Sequence, residues 1–125
     1  MNNPVEEAVK GQILWSDKNK NIKNIPAHYI VYIEPHDAHH FIGAMITTSK
    51  RHGNIPMAAA HFVTPDKANG YVVGFKNSYL VNKRLLKLHQ WAPFEPVGML
   101  SPAGIKFLDG SICGTAPEAF IFNAP

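Results

Sequence analysis

The sequence has few cysteines and no long apolar run. Its one cysteine, Cys113, cannot form an intramolecular disulfide or join a second thiolate in a zinc site. No stretch approaches the ~20 apolar residues that a membrane-spanning helix needs. The first residues, MNNPVEEAVKG, lack the basic start and apolar segment of a secretory signal. These absences lead us to expect a soluble, cytoplasmic protein.

Long uninterrupted segments are also missing, which argues against a helical bundle. The ten prolines and nine glycines are spread along the chain and divide it into short pieces. No internal repeat or low-complexity segment is visible. A chain of 125 residues can bury one compact core without disulfides or metal, so we expect residues 1–125 to form a single domain.

Short runs rich in β-branched and aromatic residues recur along the chain and predict β-strands. They lie at residues 12–15, 29–33, 41–47, 56–63, 71–75 and 78–81. Residues 81–91 fit either a short helix or a strand. Ser101 followed by Pro102 predicts the start of a helix, and Gly110 its end. The pattern indicates a mainly β protein with one or two short helices, folded as a partly open β-barrel.

Positive charge slightly exceeds negative charge, with 12 Lys and Arg against nine Asp and Glu and a net charge of +3. Between residues 76 and 87 there are four basic residues and no acidic one. This basic stretch contains Lys76, Lys83, Arg84 and Lys87. It could form one electropositive face that suits a nucleic acid, or it could be scattered solvated charge.

The segment FIGAMITTSKRH, residues 41–52, joins an apolar strand to hydroxyl and basic side chains. Its polar residues are Thr47, Thr48, Ser49, Lys50, Arg51 and His52. Hydroxyl donors beside positive charge suit a ligand that carries phosphate. An ordinary strand followed by a polar turn would have the same pattern.

Several motifs, in their order along the chain, resemble the MazF/PemK family of toxins, which are endoribonucleases of toxin–antitoxin pairs. The motifs are GQILWSD at residues 11–17 before a long polar loop, YIVYI at 29–33, IGAMIT at 42–47 with NIP at 54–56, and GMLS at 98–101. The resemblance covers about residues 10–108 and leaves 111–125 as a C-terminal extension. This extension could be an added strand, an interface or the cover of a sheet edge, and we favour the edge cover. It implies the SH3-like, partly open barrel of the superfamily that includes CcdB and Kid, usually as a homodimer.

The same resemblance implies metal-independent cleavage of single-stranded RNA, no cofactor, and control by a separately encoded acidic antitoxin. Thr47 matches the family's catalytic threonine. His28 stands where the family has an arginine, and histidine offers proton transfer without the bidentate phosphate contact of a guanidinium. The candidate RNA-binding residues in the loops are Lys23, Thr48, Ser49, Lys50, Arg51 and His52, although solvated loop charge would also explain the basic ones. Thr48 could replace Thr47 if the register shifts by one.

Two other functions remain open from the sequence. The missing arginine is compatible with a non-catalytic, CcdB-like or degenerate binding module on the same fold. The histidines and the carboxylate of the segment His36-Asp37-Ala38-His39-His40 could instead bind a metal in a metal-dependent enzyme. That segment follows Pro35 in a predicted hairpin loop, where an exposed polar turn is common. Trp15 is predicted to belong to the core and not to a base-stacking surface.

Overall fold

A computed structural model describes residues 8–16, 28–48, 50, 53–65, 68, 71, 74–75, 77–88, 94–112 and 118–119, with only the backbone at positions 16, 28, 88, 118 and 119. These residues form eight strands, one 3-10 helix and one α-helix. The strands are β1 Gln12–Ser16, β2 His28–Pro35, β3 His40–Thr47, β4 Ile55–Pro56, β5 Tyr79–Leu80, β6 Leu85–Leu88, β7 Glu95–Met99 and β8 Glu118–Ala119. The 3-10 helix is Ala59–His61, and the α-helix, α1, is Pro102–Ile112.

The strands form one sheet in the order β4-β5-β3-β2-β1-β7. β3 has two partners on its outer edge, because its C-terminal half pairs with β5 and its N-terminal half with β6. β8 pairs with β6 in parallel, and all the other pairs are antiparallel. Since β4 and β7 do not pair with each other in the described part of the chain, the sheet is open, and the prediction of a mainly β, partly open barrel-like fold is confirmed.

Two register shifts bend the sheet. One lies between Ile13 and Leu14 in the β1–β7 pair, and the other between Tyr32 and Glu34 in the β2–β3 pair. Such irregularities increase the local twist of a strand pair. Gly43 pairs with Tyr32 beside the second shift, and a Cβ at this position would lie 2.7 Å from Cγ2 of Ile30. A side chain there would therefore force β2 and β3 to adjust.

The central strands are buried on both faces. The main core contains Ile13, Val31, Ala44, Ile46, Leu80, Val97, Leu100, Leu108 and Ile112. A second core contains Leu14, Ile30, Tyr32, Phe41 and Phe94. Because successive strand residues point to opposite faces, neighbours such as Ile13 and Leu14 belong to different cores. This double burial accounts for the nearly continuous apolar runs in the sequence.

Ser101 caps α1 as the sequence predicts. Its Oγ accepts the backbone N–H of Gly104 at 3.1 Å and donates to the carbonyl of Ala60 at 2.5 Å, so it also joins α1 to the 3-10 helix. The predicted end at Gly110 is wrong, because α1 continues to Ile112, whose side chain is buried in the main core. None of the described residues belongs to a helix that is long and apolar enough to span a membrane.

Two other sequence predictions need correction. The strand predicted at 56–63 ends at Pro56, because the chain turns into the 3-10 helix, where Nδ1 of His61 accepts the N–H of Ala58 at 2.9 Å. Within 71–75, the described residues 71, 74 and 75 lie outside the strands. Residues 85–88 form strand β6, so this part of 81–91 is a strand and not a short helix. The extension contributes β8, which pairs in parallel with β6.

Candidate functional site

The ends of several strands meet at one end of the sheet. Thr47 is the last residue of β3, and His28 is the first residue of β2. Tyr29 pairs with Ile46, so His28 and Thr47 are the next positions outward on two neighbouring strands. Ser16, the last residue of β1, pairs with His28. We call this region the Thr47 end of the sheet, and it comprises positions 16, 28, 47 and 79.

Tyr79 is the member of the Thr47 end that sequence reasoning missed. It pairs directly with Thr47 from strand β5, and both residues are half-buried. Directly opposed residues share a face, with Cβ atoms about 4.5–5.5 Å apart, so the phenol and the threonine side chain are neighbours. Because Ile46 lies in the main core, alternation directs Thr47 to the other face of the sheet. The sequence predicts a strand at 78–81, but nothing local indicates which strand is its partner.

The loop after β3 begins with exposed polar residues. Thr48 and Lys50 are both exposed directly beyond Thr47. Lys23, Ser49, Arg51 and His52 lie outside the described residues, as does the side chain of His28. In the described part of the chain, the site therefore offers two threonine hydroxyls, one phenol and one ammonium group, a set that suits an anionic ligand.

The basic stretch at 76–87 does not act as one surface. Arg84 is half-buried, and its Nη2 lies 2.6 Å from Oε1 of Glu34, while Lys83 is exposed. Lys87 has no exposed surface, and burial lowers the pKa of its amine to about 7. Lys76 lies outside the described residues. Lys87 is therefore buried, and the charge of Arg84 is paired with Glu34. Neither residue supports a shared electropositive face.

The histidine cluster forms the turn between β2 and β3. Oδ1 of Asp37 accepts the backbone N–H groups of His39 and His40, each at 2.8 Å, and lies 3.0 Å from Nδ1 of His40. The bond from the His39 backbone, followed by the bond from the His40 side chain, lowers the pKa of Asp37 to about 2. Nε2 of His36 lies 3.9 Å from Oδ2 of Asp37. These contacts are those of an Asx-type turn, in which the carboxylate satisfies the backbone.

A metal site would need several ligands that converge on one point. Among the residues that the structure describes, no group of three or more His, Cys, Asp or Glu side chains is arranged to hold a metal ion. The exposed Asp37 turn therefore has a structural explanation that does not involve a metal.

Trp15 packs against the main core, as the sequence predicts. Its ring centroid lies 4.7 Å from that of Tyr29, and the row continues to Phe75 at 5.2 Å and then to Phe62 at 5.0 Å. Because Tyr29 pairs with Ile46, this aromatic row supports the Thr47 end from the face opposite to Thr47. The row therefore packs against the strands that carry the candidate site.

The Thr47 end brings together residues that are distant in the sequence, which favours it over the histidine turn as a candidate site. Its hydroxyl groups and nearby Lys50 can donate hydrogen bonds or offer charge to a phosphate.

Known protein families, curated proteins and solved structures were compared with the chain, and none of them matches it.

Proposed function

We propose that this protein is a MazF/PemK-like toxin that cleaves single-stranded RNA, without a metal, at the Thr47 end of the sheet. The observation that carries the proposal is the β2–β3 register, which makes Thr47 and His28 neighbouring strand positions. The sequence resemblance assigns catalysis to these same two positions, although 18 residues separate them in the chain. An open, mainly antiparallel barrel-like sheet is also the fold that the resemblance implies.

The proposed reaction is an internal transfer of the RNA phosphate. The ribose 2′-oxygen attacks the adjacent phosphorus, the bond from phosphorus to the 5′-oxygen breaks, and the products are a 2′,3′-cyclic phosphate and a 5′-hydroxyl. A base must take the 2′-hydroxyl proton, and an acid must give a proton to the leaving 5′-oxygen. His28 is the proposed proton carrier. Thr47, with Tyr79 beside it, donates hydrogen bonds to the phosphate oxygens as negative charge develops.

Single-stranded RNA is the preferred substrate because its unstacked bases can be separated and read, whereas paired bases cannot. Lys50 and Thr48 are exposed where the RNA backbone would pass, and Lys23, Ser49, Arg51 and His52 complete the proposed contact set. Neutralising phosphates with these side chains makes binding dependent on salt. A homodimer and a separately encoded acidic antitoxin are further parts of the proposal.

Histidine in place of arginine gives the reaction a distinctive pH dependence. A histidine that must be neutral to take a proton and charged to return one works best near its own pKa, so the rate falls on both sides of a maximum. An arginine at this position keeps its charge at all accessible pH values. The variant His28→Arg is therefore expected to change the shape of the pH profile and not only its height.

The test is cleavage of a single-stranded RNA in EDTA by the wild type and three variants, with melting temperatures as the control for folding. Thr47→Ala and His28→Ala are each expected to reduce cleavage by about 100-fold or more, which is typical for the loss of an acid–base or donor group. Thr64→Ala is the matched control, because it removes an exposed threonine hydroxyl outside the Thr47 end and should leave cleavage nearly unchanged.

Other outcomes would select another function. Full activity in both Thr47→Ala and His28→Ala would refute the assignment of the site. Cleavage that needs an added metal would return the histidine cluster to consideration. A folded protein that cleaves no RNA and yet is toxic when expressed would favour the non-catalytic binding module, which the absence of the family arginine already suggests.

A further inference from the structure

Tyr79 is an aromatic residue that belongs to neither core. Its neighbours in the chain, Ser78 and Leu80, are both buried, and Leu80 is part of the main core. Because successive strand residues point to opposite faces, Tyr79 faces away from that core. Among the described residues, other half-buried aromatic side chains such as Trp15 and Tyr29 pack against the main core, whereas Tyr79 packs against neither core. Core packing therefore does not explain the aromatic residue at this position.

Tyr79 is held between two strands. It pairs with Thr47 of β3 on one edge and with Pro56 of β4 on the other. The N–H of Met57 also donates to the carbonyl of Ser78 at 2.9 Å, which joins the two chain segments directly beside Tyr79. A side chain on a strand that is paired on both edges keeps a more precise position than one on a loop. Tyr79 is therefore a fixed part of the Thr47 end.

Pro56 extends the surface of Tyr79 on the side away from Thr47. Directly opposed residues share a face of the sheet, and Pro56 is exposed while Tyr79 is half-buried. Neighbouring strands lie about 4.8 Å apart, so this face carries in turn the proline ring, the phenol and the Thr47 side chain. Exposed Thr48 and Lys50 follow directly beyond Thr47. An aromatic and proline surface thus adjoins hydroxyl groups and a positive charge.

A nucleotide has the same two-part chemistry. Its base presents a flat π-face that stacks on aromatic side chains, and its phosphate accepts hydrogen bonds and attracts positive charge. A phosphate bound by Thr47 brings a neighbouring base within reach of the Tyr79 phenol, which is one strand spacing away. The arrangement therefore suits a single-stranded nucleic acid, whose bases are free to stack on protein side chains.

We propose that Tyr79, extended by Pro56, stacks one unpaired base of the RNA whose scissile phosphate lies at Thr47. The inference rests on the proposed RNA cleavage and adds a base-binding residue to it. The aromatic ring supplies affinity and fixes the nucleotide, whereas the hydroxyl of the same residue donates to the phosphate. Because every base has a π-face, this contact accepts any base at that position and leaves base selection to other contacts.

The experiment separates the ring of Tyr79 from its hydroxyl by comparing Tyr79→Leu with the matched variant Tyr79→Phe. The ligand is a single-stranded RNA that the wild type cleaves in EDTA, made resistant by removal of the 2′-oxygen at the cleaved nucleotide. Tyr79→Leu should weaken binding about 5- to 150-fold, which is the usual contribution of one stacked base. Tyr79→Phe keeps the ring and should bind nearly as the wild type does, while its cleavage of the unmodified RNA becomes slower.

Removal of single bases identifies the stacked nucleotide. The resistant RNA is remade with one abasic nucleotide at a time, and its binding is compared between the wild type and Tyr79→Leu. At one position the two proteins should bind nearly equally, because the stacking contact is already absent. Equal binding of the intact RNA, or a loss in Tyr79→Leu that persists at every abasic position, would overturn the inference and leave the proposed cleavage standing. If the wild type cleaves no RNA, the proposed function fails and the inference fails with it.

A second measurement, on the wild type, keeps the test decisive if Tyr79→Leu does not fold. The resistant RNA carries 5-iodouracil in place of one base at a time, and light couples this base to an aromatic ring that is stacked on it. Mass spectrometry of the digested complex should find the adduct on Tyr79. Adducts confined to other residues would overturn the inference.

Discussion

Gly104 and Gly110 lie in the same helix, and changing each to alanine should have opposite effects on stability. A Cβ at Gly104 would lie 2.0 Å from the carbonyl oxygen of His61 and 2.9 Å from its carbonyl carbon. The obstacle is backbone, and the same oxygen accepts the Ser101 N–H at 2.9 Å. Since real Cβ contacts are almost never shorter than 3.0 Å, α1 and the 3-10 helix must separate by about 1 Å.

The expected loss in Gly104→Ala follows from three contributions. Overpacking of this kind costs about 1–3 kcal/mol, and weakening the Ser101 bond costs about 1 kcal/mol more. The better helix propensity of alanine returns about 1 kcal/mol. The free energy of unfolding should therefore fall by about 1–3 kcal/mol.

Gly110→Ala is the matched control because it has the same helix and the same chemical change without the obstacle. Gly110 is exposed, and nothing lies within 4 Å of a Cβ built there. This variant should gain about 0.5–1 kcal/mol. Urea denaturation followed by circular dichroism measures both. Equal shifts, or stabilisation by Gly104→Ala, would refute the close approach of α1 to the 3-10 helix.

Two further predictions concern charged groups. Asp37→Ala should destabilise the β2–β3 turn at neutral pH. The pKa of Asp37 is lowered from 3.8 to about 2. The stabilising contribution of its charge is therefore present in full above about pH 4 and is lost as the pH falls through about 2. Acid unfolding curves of the two proteins should therefore converge in that range, and a constant separation would contradict this cause. Arg84→Met removes the ion pair with Glu34 and should lower the free energy of unfolding by less than about 1 kcal/mol, while Lys10→Met, which breaks the more exposed pair with Asp109, should have a smaller effect. Thermal denaturation at low and high salt measures both, and a larger loss in Lys10→Met would contradict the order.

Local sequence signals predict much of this fold. The strands β1, β2 and β3 follow from dense β-branched and aromatic runs, and the start of α1 follows from Ser101 and Pro102, because each signal acts over a few residues. The 3-10 helix is missed because it depends on an imidazole that accepts a backbone N–H. The end of α1 is missed because burial of Ile112 in the main core outweighs the unfavourable Gly110.

Some residues of the candidate site can likewise be predicted from local sequence, and others cannot. Thr47 is predicted because it ends an apolar run, and exposure of Thr48 and Lys50 agrees with a polar loop. Tyr79 cannot be found from the sequence, because its pairing with Thr47 depends on register between strands far apart in the chain. The burial of Lys87 is missed for a similar reason. A lysine among other basic residues is expected to be exposed, and only the pairing of β6 with β3 places Lys87 beside Phe41.

The division of the outer edge of β3 between two short strands has a mechanical consequence. The N–H of Val81 donates to the carbonyl of Met45 at 2.9 Å, directly after β5, and β6 begins at Leu85 beside Gly43. β3 thus pairs with two separate short strands along one edge, and one of them can separate from β3 while the other stays paired. Cooperative units of this size can open at very different free energies. Opening of β6 alone would leave Thr47 paired with Tyr79, so the two halves of β3 can open independently of each other.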